Sequence, residues 1–170
     1  IHTARGCGFE PTLMQAVEDR NDAQKTVIFE KIRAHFKGDL AGKTFALWGL
    51  SFKPNTDDMR EAPSRVLLEA LWEAGATVRA YDPEAMEETR RIYPEQAGLE
   101  LFDSASATLE GADALAIVTE WQEFRSPDFD RIAGKLADKV VFDGRNLYEP
   151  DTIESFGLQY YAIGRGRTAT

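Results

Sequence analysis

The sequence predicts an α/β protein: a Rossmann-like, doubly wound, mainly parallel six-stranded sheet preceded by one long α-helix. Three observations predict it. From Lys43 onward, short apolar runs alternate with stretches of helical periodicity. The run Ala112 to Val118, apolar except for Asp113, has the composition of a strand buried on both faces. Residues 11 to 36, by contrast, carry no strand-like alternation and place apolar side chains at multiples of about four.

The elements follow in order. Residues 11 to 36 read as one helix: Pro11 suits a helix start, and Leu13, Val17, Ile28, Ile32 and Phe36 form its apolar stripe. Asn21 and Lys25 interrupt that stripe. A helix of about 26 residues is roughly 39 Å long, which suits a connector or an oligomer seam. Gly38 ends it. Thr44 to Leu50 is the first strand, broken at Gly49, and Ser64 to Ala74 is a helix closed by Gly75. Ala76 to Tyr81 is a strand, Glu84 to Tyr93 a charged helix, Leu99 to Phe102 a strand and Ser104 to Glu110 a short helix. Ala112 to Val118, Lys139 to Phe142 and Leu158 to Ile163 complete the sheet, with helices at Pro127 to Leu136 and Pro150 to Phe156 between them. The tail from Arg165 to Thr170 lacks periodicity and is expected to fray.

Composition narrows the function. Apolar residues make up 43% and charged residues 29% of the 170, enough for a packed core. The net charge of −9 argues against a nucleic-acid partner, whose phosphates need a basic face. No apolar run approaches the roughly 18 residues of a membrane span. The single cysteine, Cys7, excludes an internal disulfide and fits a reducing, cytoplasmic compartment. The chain opens at Ile1 without a signal-like segment, as expected of a piece of a longer protein.

In a parallel sheet the carboxyl ends of all strands share one edge, where ligands bind. Here those ends are Ser51-Phe52-Lys53, Asp82-Pro83, Thr119-Glu120-Trp121 and Asp143-Gly144-Arg145-Asn146. Lys53, Arg60 and Arg145 can therefore converge as an anion site, with Phe52 and Trp121 as flat apolar surfaces for a base. The competing assignment puts both aromatics in the core and leaves the cations as surface charges. The loop after Gly49 has no second or third glycine, so it is no dinucleotide fingerprint. Asp82 holds the place of a ribose-binding acid, but capping the helix after Pro83 is the simpler role. Cys7 lacks a His or Asn context for nucleophilic catalysis, and His2 and His35 stand alone, against a metal site. Asp57-Asp58 reads as a solvated pair orienting Arg60, and Glu120 as a helix-start carboxylate in preference to an acid/base group.

The run Gly49-Leu50-Ser51-Phe52-Lys53-Pro54-Asn55-Thr56-Asp57-Asp58-Met59-Arg60-Glu61-Ala62-Pro63-Ser64 resembles the C-terminal domain of the UDP-glucose/GDP-mannose dehydrogenases. The likeness continues through Ala80-Tyr81-Asp82-Pro83, Val118-Thr119-Glu120-Trp121 and Phe142-Asp143-Gly144-Arg145-Asn146. The last two runs favour the UDP-glucose branch over the GDP-mannose branch. The resemblance implies a division into residues 1–40, the end of a central dimerising helical region, and residues 41–170, a UDP-sugar-binding domain. It implies oxidation of the C6 alcohol of UDP-glucose to UDP-glucuronate with two NAD and one water, often for surface polysaccharide. The family's catalytic cysteine lies in a Gly-Gly-Ser-Cys-Phe-Pro-Lys-Asp segment that is not in this sequence, so no catalytic residue is expected here and Cys7 is not its equivalent. By the same resemblance Phe52 and Lys53 would contact UDP, Arg145 the sugar or its phosphate, and Arg60 the phosphates of an NAD bound mainly by another domain. A homodimer through the first helix is implied. The alternatives are a GDP-mannose 6-dehydrogenase fragment, a stand-alone nucleotide-binding or receiver-like regulatory module, and a purely structural dimerisation piece built on the long first helix. A receiver needs acids directly after strand 1, whereas Asp57-Asp58 come late in the loop.

Overall fold

The computed structural model describes residues 1–165. A short helix α1 (His2–Gly6) precedes the long α2 (Thr12–His35). Then come β1 (Thr44–Trp48), α3 (Pro63–Glu73), β2 (Thr77–Tyr81), α4 (Met86–Ile92), β3 (Leu99–Leu101), α5 (Ala105–Thr108) and β4 (Ala114–Ile117). A 3-10 turn at Gln122–Phe124 leads to α6 (Phe129–Lys135), β5 (Val140–Asp143), α7 (Pro150–Ser155) and β6 (Gln159–Ala162). The six strands pair in the order β3-β2-β1-β4-β5-β6, and every pair is parallel. The predicted fold class is the observed one.

Alternation along each strand builds two cores. Phe45 and Leu47 of β1 face one layer, with Leu67 and Leu71 of α3, Phe142 of β5, and Ile28 and Ile32 of α2. Ala46 and Trp48 face the other, with Ile132 of α6, Ile153 of α7 and Tyr160 of β6. Each such side chain, taken fully out of water, contributes roughly 1.5–3 kcal/mol. The winding reverses between β1 and β4, because the chain builds outward through β2 and β3, then returns to β4 on the other flank. That reversal opens a crevice at the carboxyl ends of β1 and β4, the place where doubly wound sheets bind ligands.

Helix α2 divides in the middle. Ile28 and Ile32 are buried, with Phe29 and Phe36 packed against the same core. Leu13, Met14 and Val17 are exposed, as is Phe9 just before the helix. The apolar stripe read from the sequence is interrupted at Asn21 and Lys25, and only the half C-terminal to that break docks on the sheet.

Element boundaries differ from expectation by a residue or two, with identifiable causes. β1 ends at Trp48, because Gly49 turns the backbone to φ +91°. Pro11 caps α2 from outside instead of opening it. Helix α1 and the 3-10 turn were not foreseen: each is too short to show a period. Arg165, expected to fray, donates from Nη2 to the carbonyls of Asn146 (2.8 Å) and Tyr148 (2.9 Å). The rest of the predicted frayed tail, 166–170, lies outside the described residues.

Candidate functional site

The loop between β1 and α3 is built on a close contact. A methyl group on Gly49 would lie 2.5 Å from Cβ of Thr119 and 2.8 Å from its backbone nitrogen. Only glycine fits there, both for that approach and for its positive φ. The carbonyl of Ser51 accepts from Thr119 Oγ1 at 2.6 Å, and Ser64 Oγ donates to the Leu50 carbonyl. Phe52 N–H donates to the Asp58 carbonyl at 2.7 Å, closing the loop on itself. Lys53 is thereby set on a clamped backbone at the crevice.

Asp82, fully buried, joins three segments. Its Oδ1 accepts from the backbone N–H groups of Glu84 (2.9 Å) and Ala85 (2.8 Å), the capping role expected from sequence. Its Oδ2 accepts from Leu50 N (2.7 Å), Ser51 N (3.0 Å), Ser51 Oγ (3.1 Å) and Trp121 Nε1 (3.0 Å). Trp121 is therefore a buried strut, and its expected part as a base-stacking surface is wrong: the indole N–H needs an acceptor, and Asp82 supplies it inside the protein.

Asp143 organises the next strand end. Its Oδ1 accepts from Arg145 N (2.8 Å), and its Oδ2 from Leu147 N (2.7 Å) and the Tyr160 hydroxyl (2.6 Å). Arg145 is then aimed back over the crevice: Nε donates to the Val118 carbonyl at 2.8 Å and Nη2 to the Phe52 carbonyl at 3.3 Å. Glu120 Oε2 lies 3.1 Å from Arg145 Nε. That nitrogen spends its one hydrogen on Val118, so the contact is an ion pair without a directed hydrogen bond.

These elements enclose a cleft of about 680 Å³. The sheet side supplies Phe52, Lys53, Val118, Glu120, Gly144 and Arg145, and α2 supplies Glu18, Asn21, Asp22, Gln24, Lys25 and Ile28. Three of the four residues that the resemblance assigns to the site, Phe52, Lys53 and Arg145, thus share one cavity. Phe52 is 46% exposed. Lys53 has no acid within ion-pair distance among the described residues. Arg60 does not line the cleft. Its side chain is 87% exposed and grips Asp58 through Nε (3.0 Å) and Nη2 (2.7 Å). That grip holds the Asp58 carboxyl down at a pKa of about 2. The cleft edge also carries Lys25, 2.7 Å from Glu61 and 3.0 Å from Asp22, which raise the pKa of its ammonium.

The α2 wall is what sequence reasoning missed. Its one signal was the polar break at Asn21 and Lys25 in an otherwise apolar stripe. The cleft is also not simply basic: four carboxylates, Glu18, Asp22, Glu61 and Glu120, line it with three cations, Lys25, Lys53 and Arg145. Elsewhere, Cys7 is exposed, and His35 is tied up by the Tyr161 hydroxyl at 3.1 Å from Nδ1. Among the described residues no three His, Cys, Asp or Glu side chains gather to hold a metal ion, and no helix is long and apolar enough to cross a membrane.

Comparison with known proteins gives this geometry a lineage. The chain is 49% identical over 170 residues to a UDP-glucose 6-dehydrogenase of Pseudomonas aeruginosa, covering 98% of this chain and 38% of that protein. It is 39% identical over 165 residues to one of Rhizobium meliloti, covering 97% of this chain and 37% of that one. The chain therefore spans little more than a third of these relatives. Among solved structures, a UDP-glucose dehydrogenase from Pyrobaculum islandicum superposes with a TM-score of 0.78 at 27% identity, covering 95% of this chain and 34% of that one. The description of the UDP-glucose/GDP-mannose dehydrogenase family, UDP binding domain, matches residues 46–150. That match takes in the Gly49 loop, Asp82 and the Asp143–Arg145 turn, and the chain belongs to the UDP-glucose/GDP-mannose dehydrogenase family.

Proposed function

We propose that this chain is the UDP-sugar-binding part of an NAD-dependent UDP-glucose 6-dehydrogenase, with the oxidation itself carried out on residues outside it. The observation that carries the reading is the convergence of Phe52, Lys53 and Arg145 on one cleft at the switch point of the sheet. Lys53 offers an unpaired ammonium. A guanidinium has five N–H donors. Arg145 spends two of them on the carbonyls of Val118 and Phe52, which leaves three for a diphosphate while the side chain is held in place. The Phe52 ring covers the nucleoside at the rim. Arg60, outside the cleft and on an exposed loop, would meet the phosphates of a cofactor carried by another domain, a role that its exposure supports.

NAD itself does not fit this chain's own strand–helix turn. Helix α3 begins at Pro63, and the loop between Gly49 and that helix carries none of the further glycines that let a pyrophosphate approach the backbone. Both oxygens of Asp82 are occupied by protein donors, which leaves none for a ribose. NAD would supply hydride acceptance from a separate domain, and this chain's part is to hold the nucleotide sugar.

The same proposal divides the chain into residues 1–40, a segment of a central dimerising region, and 41–170, the UDP-sugar domain. A homodimer through α2 is supported by the uncovered Leu13, Met14 and Val17. A cytoplasmic place fits the free Cys7, and a role in supplying glucuronate for polysaccharide follows from the proposed product.

Calorimetric titration with UDP-glucose tests the reading. The wild-type chain is expected to bind it without turnover, and Lys53→Ala and Arg145→Ala are each expected to weaken binding by about tenfold or more. A wild-type chain that neither releases heat nor shifts its melting temperature at millimolar UDP-glucose would sink the proposal. Equal affinity for GDP-mannose would move the assignment to the other branch of the family.

A further inference from the structure

The polar break in α2 does more than dock that helix, although Lys25 ties it to Glu61 of the β1–α3 loop at 2.7 Å. Positions 18, 21, 25 and 28 follow one face of a helix, three or four residues apart, and all four line the cleft. Ile28 is the buried end of this face: a methyl group on Gly144 would lie 3.2 Å from its Cγ1. From there the helix runs out along the open side of the cleft, and Asn21 stands about 10 Å further along the axis.

The chemistry of this wall differs from that of the wall opposite. The Lys25 side chain is only 18% exposed, its Nζ 3.0 Å from Asp22 Oδ1 and 2.7 Å from Glu61 Oε2. An ammonium has three N–H donors, so one remains. Asp22 keeps its second oxygen as an acceptor, and the Asn21 amide, which makes no hydrogen bond among the described residues, offers both donors and an acceptor. Two carboxylates around one ammonium leave this group with a net negative charge. It repels a phosphate, which Lys53 and Arg145 take on the other side. Paired donors and acceptors without net positive charge are what the neighbouring hydroxyls of a sugar require.

We propose that Asn21, supported by the Asp22–Lys25 pair, is the hydroxyl-reading wall of the cleft and a specificity determinant for the sugar of the bound nucleotide. The inference rests on the UDP-sugar reading above and adds the residues that discriminate within it. The hydroxyls are those of the ribose or those of the hexose, and three ligands separate them: UDP-glucose, UDP and 2′-deoxy-UDP.

The test is calorimetry of each ligand on wild type, Asn21→Ala and Lys53→Ala, with thermal melts of the ligand-free chains. Because Asn21 is exposed and unbonded, Asn21→Ala is expected to melt with wild type. It is expected to bind UDP-glucose about fivefold or more weakly. If UDP weakens in parallel while 2′-deoxy-UDP does not, the wall reads the ribose; if UDP is unaffected, it reads the hexose. Unchanged affinity for all three ligands overturns the proposal. If Lys53→Ala still weakens binding in that case, the UDP-sugar reading survives without it. A wild-type chain that binds none of the three overturns both.

Discussion

Asp82→Asn isolates the interaction on which the site most depends. The substitution keeps size and shape and replaces one acceptor oxygen by an NH₂ donor. Oδ1 faces two backbone N–H groups at 2.8 and 2.9 Å, and Oδ2 faces Leu50 N, Ser51 N, the Ser51 hydroxyl and Trp121 Nε1. The Ser51 hydroxyl can rotate away, but the N–H groups cannot. With the amide in its better orientation, NH₂ toward Glu84 and Ala85, the buried Ala85 N–H and the partly exposed Glu84 N–H lose their acceptor and meet another donor. The buried group costs about 1–3 kcal/mol and the partly exposed one less, so the total is about 2–4 kcal/mol. At the middle of that range Tm falls by roughly 6–12 °C for a chain of this size. Thermal melts against an exposed control, Asp103→Asn, measure it. An Asp82→Asn chain that melts within about 2 °C of wild type would refute the assignment of Asp82 as the joint between β1, β2 and the Trp121 turn.

Two further outcomes follow from the charges. Removing the guanidinium in Arg60→Ala lets the Asp58 carboxyl rise from about 2 toward its ordinary 3.8, short of full return because the backbone N–H of residue 60 still donates to it. Carboxylate NMR titration reads this directly, and an unmoved Asp58 would show that Arg60 is not its partner in solution. His35 is held below its ordinary pKa of 6.5, chiefly by burial against Tyr161 and Phe142, with Asp138 raising it and Lys43 lowering it. The unfolded chain therefore takes up the proton more readily. Stability is full above about pH 6.5, falls as the pH drops through that value to the lowered folded pKa, and is flat below it. Urea denaturation across this window should steepen for wild type relative to His35→Asn, and parallel profiles would count against it.

Much of this was legible because it depends on period and on strand ends. Alternating apolar runs fix the βα order, and a parallel sheet necessarily brings the Phe52–Lys53 and Arg145 segments to one edge. What was not legible depends on who satisfies whom. Trp121 follows a strand, next to a carboxylate, and nothing in its neighbours reveals that its N–H is claimed by Asp82, 39 positions earlier. Arg60 is two residues from Asp58, close enough for the pairing to be expected, yet whether it enters the cleft depends on where the loop turns. The α2 wall was the largest omission. A polar break in an apolar stripe is visible in the sequence, but it reads as a flaw until the helix is seen to leave the sheet at Ile28.

A chain with a net charge of −9 is an improbable host for a diphosphate by composition alone, and distance resolves the conflict. Opposite unit charges about 4 Å apart near a protein surface attract by about 4 kcal/mol, while a carboxylate about 20 Å away through water repels by only about 0.2 kcal/mol before salt. At physiological ionic strength screening beyond about 8 Å removes most of the remainder. The scattered acids therefore exclude a long polyanion, which must lie across the whole surface, yet barely touch a short one held inside a cleft. What matters there is whether the local cations are free. Lys53 has no acid at ion-pair distance among the described residues, and Arg145 is oriented by the carbonyls of Val118 and Phe52 while Glu120, 3.1 Å from its Nε, offsets part of its charge. Lys25, with two carboxylates, is neutralised in place and presents its remaining donor without a net positive field. The three cations of one cleft thus do different work, and the difference is set by their partners and not by their residue type.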